Sequence, residues 1–151
     1  MSNNVYAPSF TIRPSCLQDC EAITSLLREV SYPTTFNVMK ERMQGIEAEN
    51  HSIMLVAELE EKVVGFISLQ RVQSKAYPDP AAQITMLVVS RDHRYEGIGK
   101  RLVERGEQWG REQEGVQLFI TGANRERHAE AHAFYERIGF DKKGYRLSKK
   151  I

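Results

Sequence analysis

The feature that most constrains this chain is the run Ile84-Thr85-Met86-Leu87-Val88-Val89, which leads through Ser90-Arg91-Asp92-His93 into Arg94-Tyr95-Glu96-Gly97-Ile98-Gly99. A strand that is apolar on both faces must be covered on both, which places it at the centre of a sheet. A helix follows the glycines, because Ile98, Leu102, Gly106, Trp109 and Gln113 share one face at helical spacing. Trp109 on that stripe is a core residue. A buried strand, a glycine-bearing turn and an amphipathic helix form the frame around which everything else is placed.

Upstream, Phe10 and Ile12 lie on a short strand ending at Arg13-Pro14, since proline has no N–H for the ladder and biases the residue before it toward extended backbone. Ile23, Leu26, Leu27 and Val30 then recur at helical spacing, with Asp19 placed to cap the first turn. Phe36, Met39, Met43 and Ile46 repeat the pattern after Thr35. Two apolar runs, 53–57 and 62–69, flank the acidic turn Glu58-Leu59-Glu60-Glu61 and predict an antiparallel hairpin. The turn is a solvated loop, without the converging ligands of a metal site.

Tyr77-Pro78-Asp79-Pro80 marks a loop, and Val116-Gln117-Leu118-Phe119-Ile120 is the next strand. A helix after Asn124 carries Ala131, Phe134, Tyr135 and Ile138 until Gly139 stops it, and Gly144-Tyr145-Arg146-Leu147-Ser148 forms a last strand. The order is strand, two helices, three strands, helix, strand, helix, strand: an α/β sandwich with helices on both faces of a mixed sheet. Residues 1–9 are a tail and 10–151 a single domain, as 151 residues with 41% hydrophobic content suit one core.

Twenty-one basic residues against 20 acidic ones leave no global field for nucleic acid or an anionic membrane, which turns attention to small partners. Lys142-Lys143 and Lys149-Lys150 lack the interleaved aromatics of a single-strand reader and read as solubilising charges on a strand edge. Cys16 and Cys20 fit neither a disulfide framework nor a zinc site, and such reduced thiols point to the cytoplasm. No basic-then-apolar leader opens the sequence and no apolar run is long enough to span a bilayer, so neither secretion nor insertion is expected.

A glycine-containing turn between strand and helix presents unpaired N–H groups at the positive end of a helix dipole, an arrangement that binds anions. Gly97 and Gly99 remove Cβ atoms where a diphosphate would approach, and Arg94 and Lys100 add positive charge. Two nucleotide-binding motifs fit badly: the three glycines of a dinucleotide fingerprint are absent, and Gly99-Lys100 precedes Arg101 rather than the Ser or Thr of a Walker loop.

Leu87-Val88-Val89 followed by Arg94-x-x-Gly97-x-Gly99-Lys100 is similar to the Q/R-x-x-G-x-G/A motif of the GNAT superfamily of N-acetyltransferases. Asn124, then residues 131–140, resemble that superfamily's second conserved block, and the likeness covers about residues 10 to 151. Tyr32-Pro33, Val63-Val64-Gly65 and Gly144-Tyr145-Arg146-Leu147 look like the bacterial branch related to aminoglycoside 6'-N-acetyltransferases. The resemblance implies a mixed sheet of about six to seven strands flanked by about four helices, and acetyl-CoA as donor with no metal.

Carried over residue by residue, the resemblance implies that the backbone of Leu87 and Val89 pairs with the pantetheine arm. It also implies that the amides of Arg94, Tyr95, Glu96, Gly97, Ile98, Gly99 and Lys100 hold the diphosphate. Tyr95 departs from the family's usual glycine, so the turn is tighter there or its ring covers the donor. Asn124 matches a pantetheine-binding position, or else is a cap or loop residue. Tyr135 matches the tyrosine that protonates the departing thiolate, against the alternative of a buried aromatic whose hydroxyl is satisfied elsewhere. Phe134 is a core residue. His132, one turn before Tyr135, and His93, within the loop region, are read as structural groups.

The implied reaction is direct attack of a neutral primary amine on the thioester carbonyl, without a covalent enzyme intermediate. An alkylamine is mostly protonated at pH 7, which calls for a base. The central strand offers Gln83, Thr85 and Met86 but no carboxylate, so the base is unassigned; Glu58, Asp79 and His132 are candidates through water. A small-molecule amine is the expected acceptor, with Tyr32, Phe36 and Tyr77 as possible pocket residues or ordinary packing. A protein amine, or a non-catalytic acyl-CoA-binding module, is the alternative. The short ending after Gly139 predicts a homodimer in which a second subunit completes the sheet.

Overall fold

The computed structural model describes residues 9–73, 79–120, 129–141 and 149–151, the side chains of 129–132 excepted. Residues 1–8 of the tail, Asn124, Tyr77 and Pro78 of the proline-containing loop, and the last strand expected from sequence lie outside the described residues. Within them the order is β1 (Thr11–Pro14), α1 (Cys20–Glu29), α2 (Phe36–Ala48), β2 (Ser52–Leu59), β3 (Lys62–Val72), β4 (Ala81–Val89), α3 (Ile98–Glu112), β5 (Leu118–Ile120) and α4 (Ala129–Arg137). Five strands form one sheet in chain order, antiparallel from β1 to β4 and parallel between β4 and β5. A mixed sheet with four α-helices is thus present among the described residues.

The sheet separates two clusters of buried side chains. On one face α1 and α2 bring Ile23, Leu27, Met39 and Met43 onto Met54, Val56, Phe66 and Val88. On the other, Ile98, Leu102, Val103 and Trp109 of α3 and Tyr135 of α4 meet Leu55, Ile67, Leu69 and Ile84. Each such buried side chain contributes roughly 1.5–3 kcal/mol of transfer free energy. α3 approaches the sheet closely, since a Cβ at Gly106 would stand 3.0 Å from Leu69 Cδ2, and one at Gly110 3.1 Å from Ala82 Cβ.

Several local expectations are corrected. Asp19 occupies the N-cap position of α1, yet its side chain makes no capping bond. A single 3₁₀ turn, Leu17–Asp19, runs directly into α1, and the Cys20 N–H is already bonded to the Leu17 carbonyl. The carboxylate instead accepts from the Cys16 N–H at 2.9 Å and from Arg13 at 2.8 and 2.9 Å. Phe36 is exposed, although it opens the apolar stripe of α2. β5 begins at Leu118, leaving Val116 in solvent. The hairpin forms as expected, but Glu60 and Glu61 both adopt left-handed φ, 49° and 66°, as a tight two-residue connection requires.

Arg13 also donates to Glu58 at 2.7 Å, tying β1 to β2. Its guanidinium, more than the Cys16 N–H, holds the Asp19 carboxyl below the ordinary carboxylate range, although burial opposes this. A depressed carboxyl pKa contributes stability that is present above the unfolded value near 3.9 and lost as pH falls through the folded one. Arg13→Met is therefore expected to lower stability by about 1–2 kcal/mol at neutral pH, moderated because Arg13 is 36% exposed. Below about pH 3 the difference between the two proteins narrows, which acid titration of urea midpoints measures.

Candidate active site

The site begins with a kink in β4. Ser68 pairs with Met86 but Leu69 pairs with Ile84, so Thr85 is an extra, unpaired residue in the ladder. A bulge of this kind inverts the alternation beyond it. Ala82 and Ile84 face the α3 side, and past the bulge Leu87 and Val89 pack against that side too, while Met86 and Val88 face α1 and α2. The Thr85 hydroxyl donates to the Ser68 carbonyl at 3.0 Å and fixes the distortion.

The bulge also sets which edge each backbone group serves. The Ser90 N–H donates to the Val64 carbonyl at 2.8 Å, one step beyond the Gly65↔Val89 pair. In an antiparallel ladder, bonded and non-bonded pairs alternate, so Val88 and Met86 spend their N–H and C=O groups on β3. Those of Leu87 and Val89 therefore project from the opposite edge of β4. The described ladder to β5 runs along that edge from Ala82 to Ile84.

After Ser90 the chain makes one 3₁₀ turn, Arg91–His93, extends at Arg94 and turns sharply into α3. Tyr95 has φ 65°, a left-handed conformation that costs a residue with a Cβ about 1–2 kcal/mol. The residue is 91% exposed. Gly97, at φ 83° and ψ 3°, is the N-cap of α3, where no side chain caps the helix and no acidic residue lies in the first turn. The first intrahelical amide bond of this turn is Arg101 N–H to Gly97 C=O, at 3.1 Å. The amides of Ile98, Gly99 and Lys100 consequently stay open at the positive end of the dipole. His93 Nδ1 lies 3.1 Å from Glu96 Oε2, a contact within the loop.

Gly99 has a role beyond access for an anion. A Cβ there would lie 3.2 Å from Phe134 Cζ and 3.7 Å from Val89 Cγ2, so the missing side chain lets α4 seat its phenyl ring on the first turn of α3. Phe134 in turn packs edge-on to Tyr135, with centroids 5.2 Å apart, and Phe140 flanks the other side at 5.3 Å. Gly139, at φ 103°, ends α4 and turns the chain so that the Phe140 N–H reaches the Tyr135 carbonyl at 3.0 Å.

Tyr135 is only 6% exposed, and burial pushes its phenol well above the ordinary value near 10, so it is protonated at neutral pH. Among the described residues none hydrogen-bonds its hydroxyl. A groove of about 470 Å³ continues from the first turn of α3, lined by Lys100, Glu104, Glu107 and Arg137 among others.

The fold thus brings Leu87, Val89, Gly97, Ile98, Gly99, Lys100 and Tyr135 to the junction of β4, α3 and α4. Asn124 and the side chain of His132 lie outside the described residues. Of the candidate bases, Glu58 is engaged by Arg13 at 2.7 Å and Asp79 is exposed two residues before β4. Sequence reasoning missed Thr85 as the bulge, because only the partner strand reveals it.

The matched family model is the acetyltransferase (GNAT) family, over residues 20–140. Human N-acetyltransferase 8 is 35% identical over 98 residues, which are 64% of this chain and 42% of that protein. The chain thus spans less than half the length of that relative. The aminoglycoside N-acetyltransferase AAC(6')-Iy in complex with CoA superposes with TM-score 0.84 at 13% identity, covering 95% of both chains. Glucosamine-6-phosphate N-acetyltransferase from Arabidopsis thaliana superposes with TM-score 0.79 at 21% identity, covering 94% of this chain and 98% of that one. These two structures share the fold, and the match across residues 20–140 establishes that the chain belongs to the acetyltransferase (GNAT) family.

Proposed function

We propose that this protein transfers an acetyl group from acetyl-CoA to the primary amine of a small molecule, with Tyr135 as the general acid. The observation that carries the reading is the junction itself. Val89, the open first turn of α3 and the Phe134-Tyr135 pair meet around Gly99, so a strand edge, an anion site and a proton donor share one place.

The residues fit such a donor in three respects. The outward backbone groups of Leu87 and Val89 can pair with its amide-bearing arm, as an added strand would. The amides of Ile98, Gly99 and Lys100 can hold a diphosphate without a Cβ in the way at Gly97 or Gly99. Lys100 and Arg137, beside Glu104 and Glu107, line the groove in which the far end of the donor would run. Acetyl-CoA supplies a thioester carbonyl and a thiolate leaving group. Tyr135, kept protonated by burial, then holds a proton at its hydroxyl for that sulfur. Removal of the amine's proton falls to a water-mediated base that no described residue fills by geometry.

The acceptor is read as a small amine because the neutral overall balance gives no field for a polyanionic partner, and structural neighbours include enzymes named for aminoglycoside and glucosamine-6-phosphate acetylation. The same reading carries a homodimer as assembly and, from two unpaired thiols, the cytoplasm as setting. Incubation with acetyl-CoA and a panel of small amines, aminoglycosides and lysine peptides, read by mass spectrometry, tests it. One acetyl group added to a small amine is expected. Transfer to peptides alone would overturn the acceptor class, and tight donor binding without transfer to any amine would favour a binding module.

A further inference from the structure

We propose that Glu29 is a positioning residue for the donor loop, clasping its first residues to the end of α1; this rests on the acetyl-CoA reading above. Glu29 is the last residue of α1. Its Oε1 accepts from the Arg91 backbone N–H at 3.0 Å and from the Ser90 hydroxyl at 3.4 Å, and the Arg91 guanidinium donates back to the Glu29 carbonyl. Ser90 is anchored on its other side as well, its N–H bonded to Val64 and its carbonyl to the His93 N–H at 3.0 Å. The two residues that launch the loop are therefore held by α1, by the neighbouring strand β3 and by the loop's own 3₁₀ turn.

From Arg91 to Gly97 the chain is too short to absorb a displacement: one 3₁₀ turn, an extended residue and the left-handed Tyr95 lead directly to the open amides of α3. Where Ser90 and Arg91 sit thus decides where those amides point. On its other side Glu29 continues into Val30, the left-handed Ser31 at φ 60° and Tyr32, whose hydroxyl accepts from Arg42 at 3.3 Å. One carboxylate therefore links the connection between α1 and α2 to the donor loop. The contacts lie at a half-exposed surface, so their effect falls on the loop's geometry more than on global stability. Without the clasp the loop samples more conformations, and a donor must supply the cost of ordering it.

Electrostatics and positioning predict opposite signs. A carboxylate near a diphosphate repels it, so if charge alone mattered, Glu29→Ala and Glu29→Gln would both bind CoA more tightly. The clasp predicts that Glu29→Ala weakens CoA binding and raises KM for acetyl-CoA by roughly five- to tenfold, with kcat within about twofold. Glu29→Gln keeps an oxygen to accept the Arg91 N–H and should return to within about twofold of the parent. Calorimetric CoA titration of the parent, Glu29→Ala, Glu29→Gln and Ser90→Ala, each checked by circular dichroism, reads this out; Ser90→Ala, losing one arm, should fall between the first two. Equal or tighter binding by Glu29→Ala, or a Glu29→Gln as weak as Glu29→Ala, overturns the clasp alone. A parent protein that binds no CoA overturns the donor reading and the clasp with it.

Discussion

Tyr135→Phe is expected to lower kcat for acetyl transfer by roughly 10²–10³-fold while KM for acetyl-CoA stays within about twofold. The substitution removes one oxygen and leaves the ring between Phe134 and Phe140, with centroids at 5.2 and 5.3 Å. Because the ring packing is kept, folding stability should change by no more than about 1 kcal/mol. Steady-state kinetics beside thermal melting separate the loss of an acid from a loss of fold.

The same burial fixes the pH behaviour. A phenol whose folded pKa is raised keeps its proton to higher pH, so ionisation of Tyr135 should not limit activity until well above pH 10. Its share of stability is complete below the unfolded value near 10 and disappears as pH rises through the folded one. A decline in kcat at neutral pH would belong to another group, and should persist unchanged in slope in Tyr135→Phe.

Gly99→Val has the second large expected effect. A Cβ would already stand 3.2 Å from Phe134 Cζ, and the two γ-carbons of valine would crowd the same ring and the Val89 side chain. The first turn of α3 must shift from α4, at a cost of about 1–3 kcal/mol in stability. Because the open amides of that turn move too, acetyl-CoA affinity should fall by roughly tenfold or more. Urea unfolding and donor titration on the same sample check both. Undisturbed stability with lost binding would mean that Gly99 serves only access, as its sequence pattern alone suggests.

Much of this site is legible in sequence because it is local. The apolar β4, the glycines at 97 and 99 and the stripe of α3 all declare themselves within 30 contiguous residues, through hydrophobic period and helix-terminus chemistry. The second half of the site came from the resemblance of residues 131–140 to a family block, not from periodicity. What stayed hidden depends on partners distant in sequence. Thr85 is a bulge only against Ser68 and Leu69, and the reason for Gly99 is a ring 35 residues later. Glu29 and Ser90 are 61 residues apart, and nothing in the pattern of α1 marks its last carboxylate as different from the others on its surface.

Capping and burial show the same division. Thr35 caps α2, its side chain accepting from the Val38 N–H at 3.2 Å, a short-range bond that the residue type favours. Asp19 has the same short-range preference but is drawn away by Arg13, a β1 residue six positions earlier whose guanidinium also bonds Glu58 on β2. Phe36 fits the helical stripe yet faces solvent, since a stripe predicts a face and not how far the covering sheet extends.

The proposed donor site is the β4 edge together with the first turn of α3. Titrating CoA into ¹⁵N-labelled protein and following backbone amides tests this most directly. The largest shifts are expected at Leu87, Val89, Gly97, Ile98, Gly99 and Lys100, with Tyr135 perturbed beside them. Saturable binding whose shifts cluster elsewhere, leaving those amides unmoved, would contradict it.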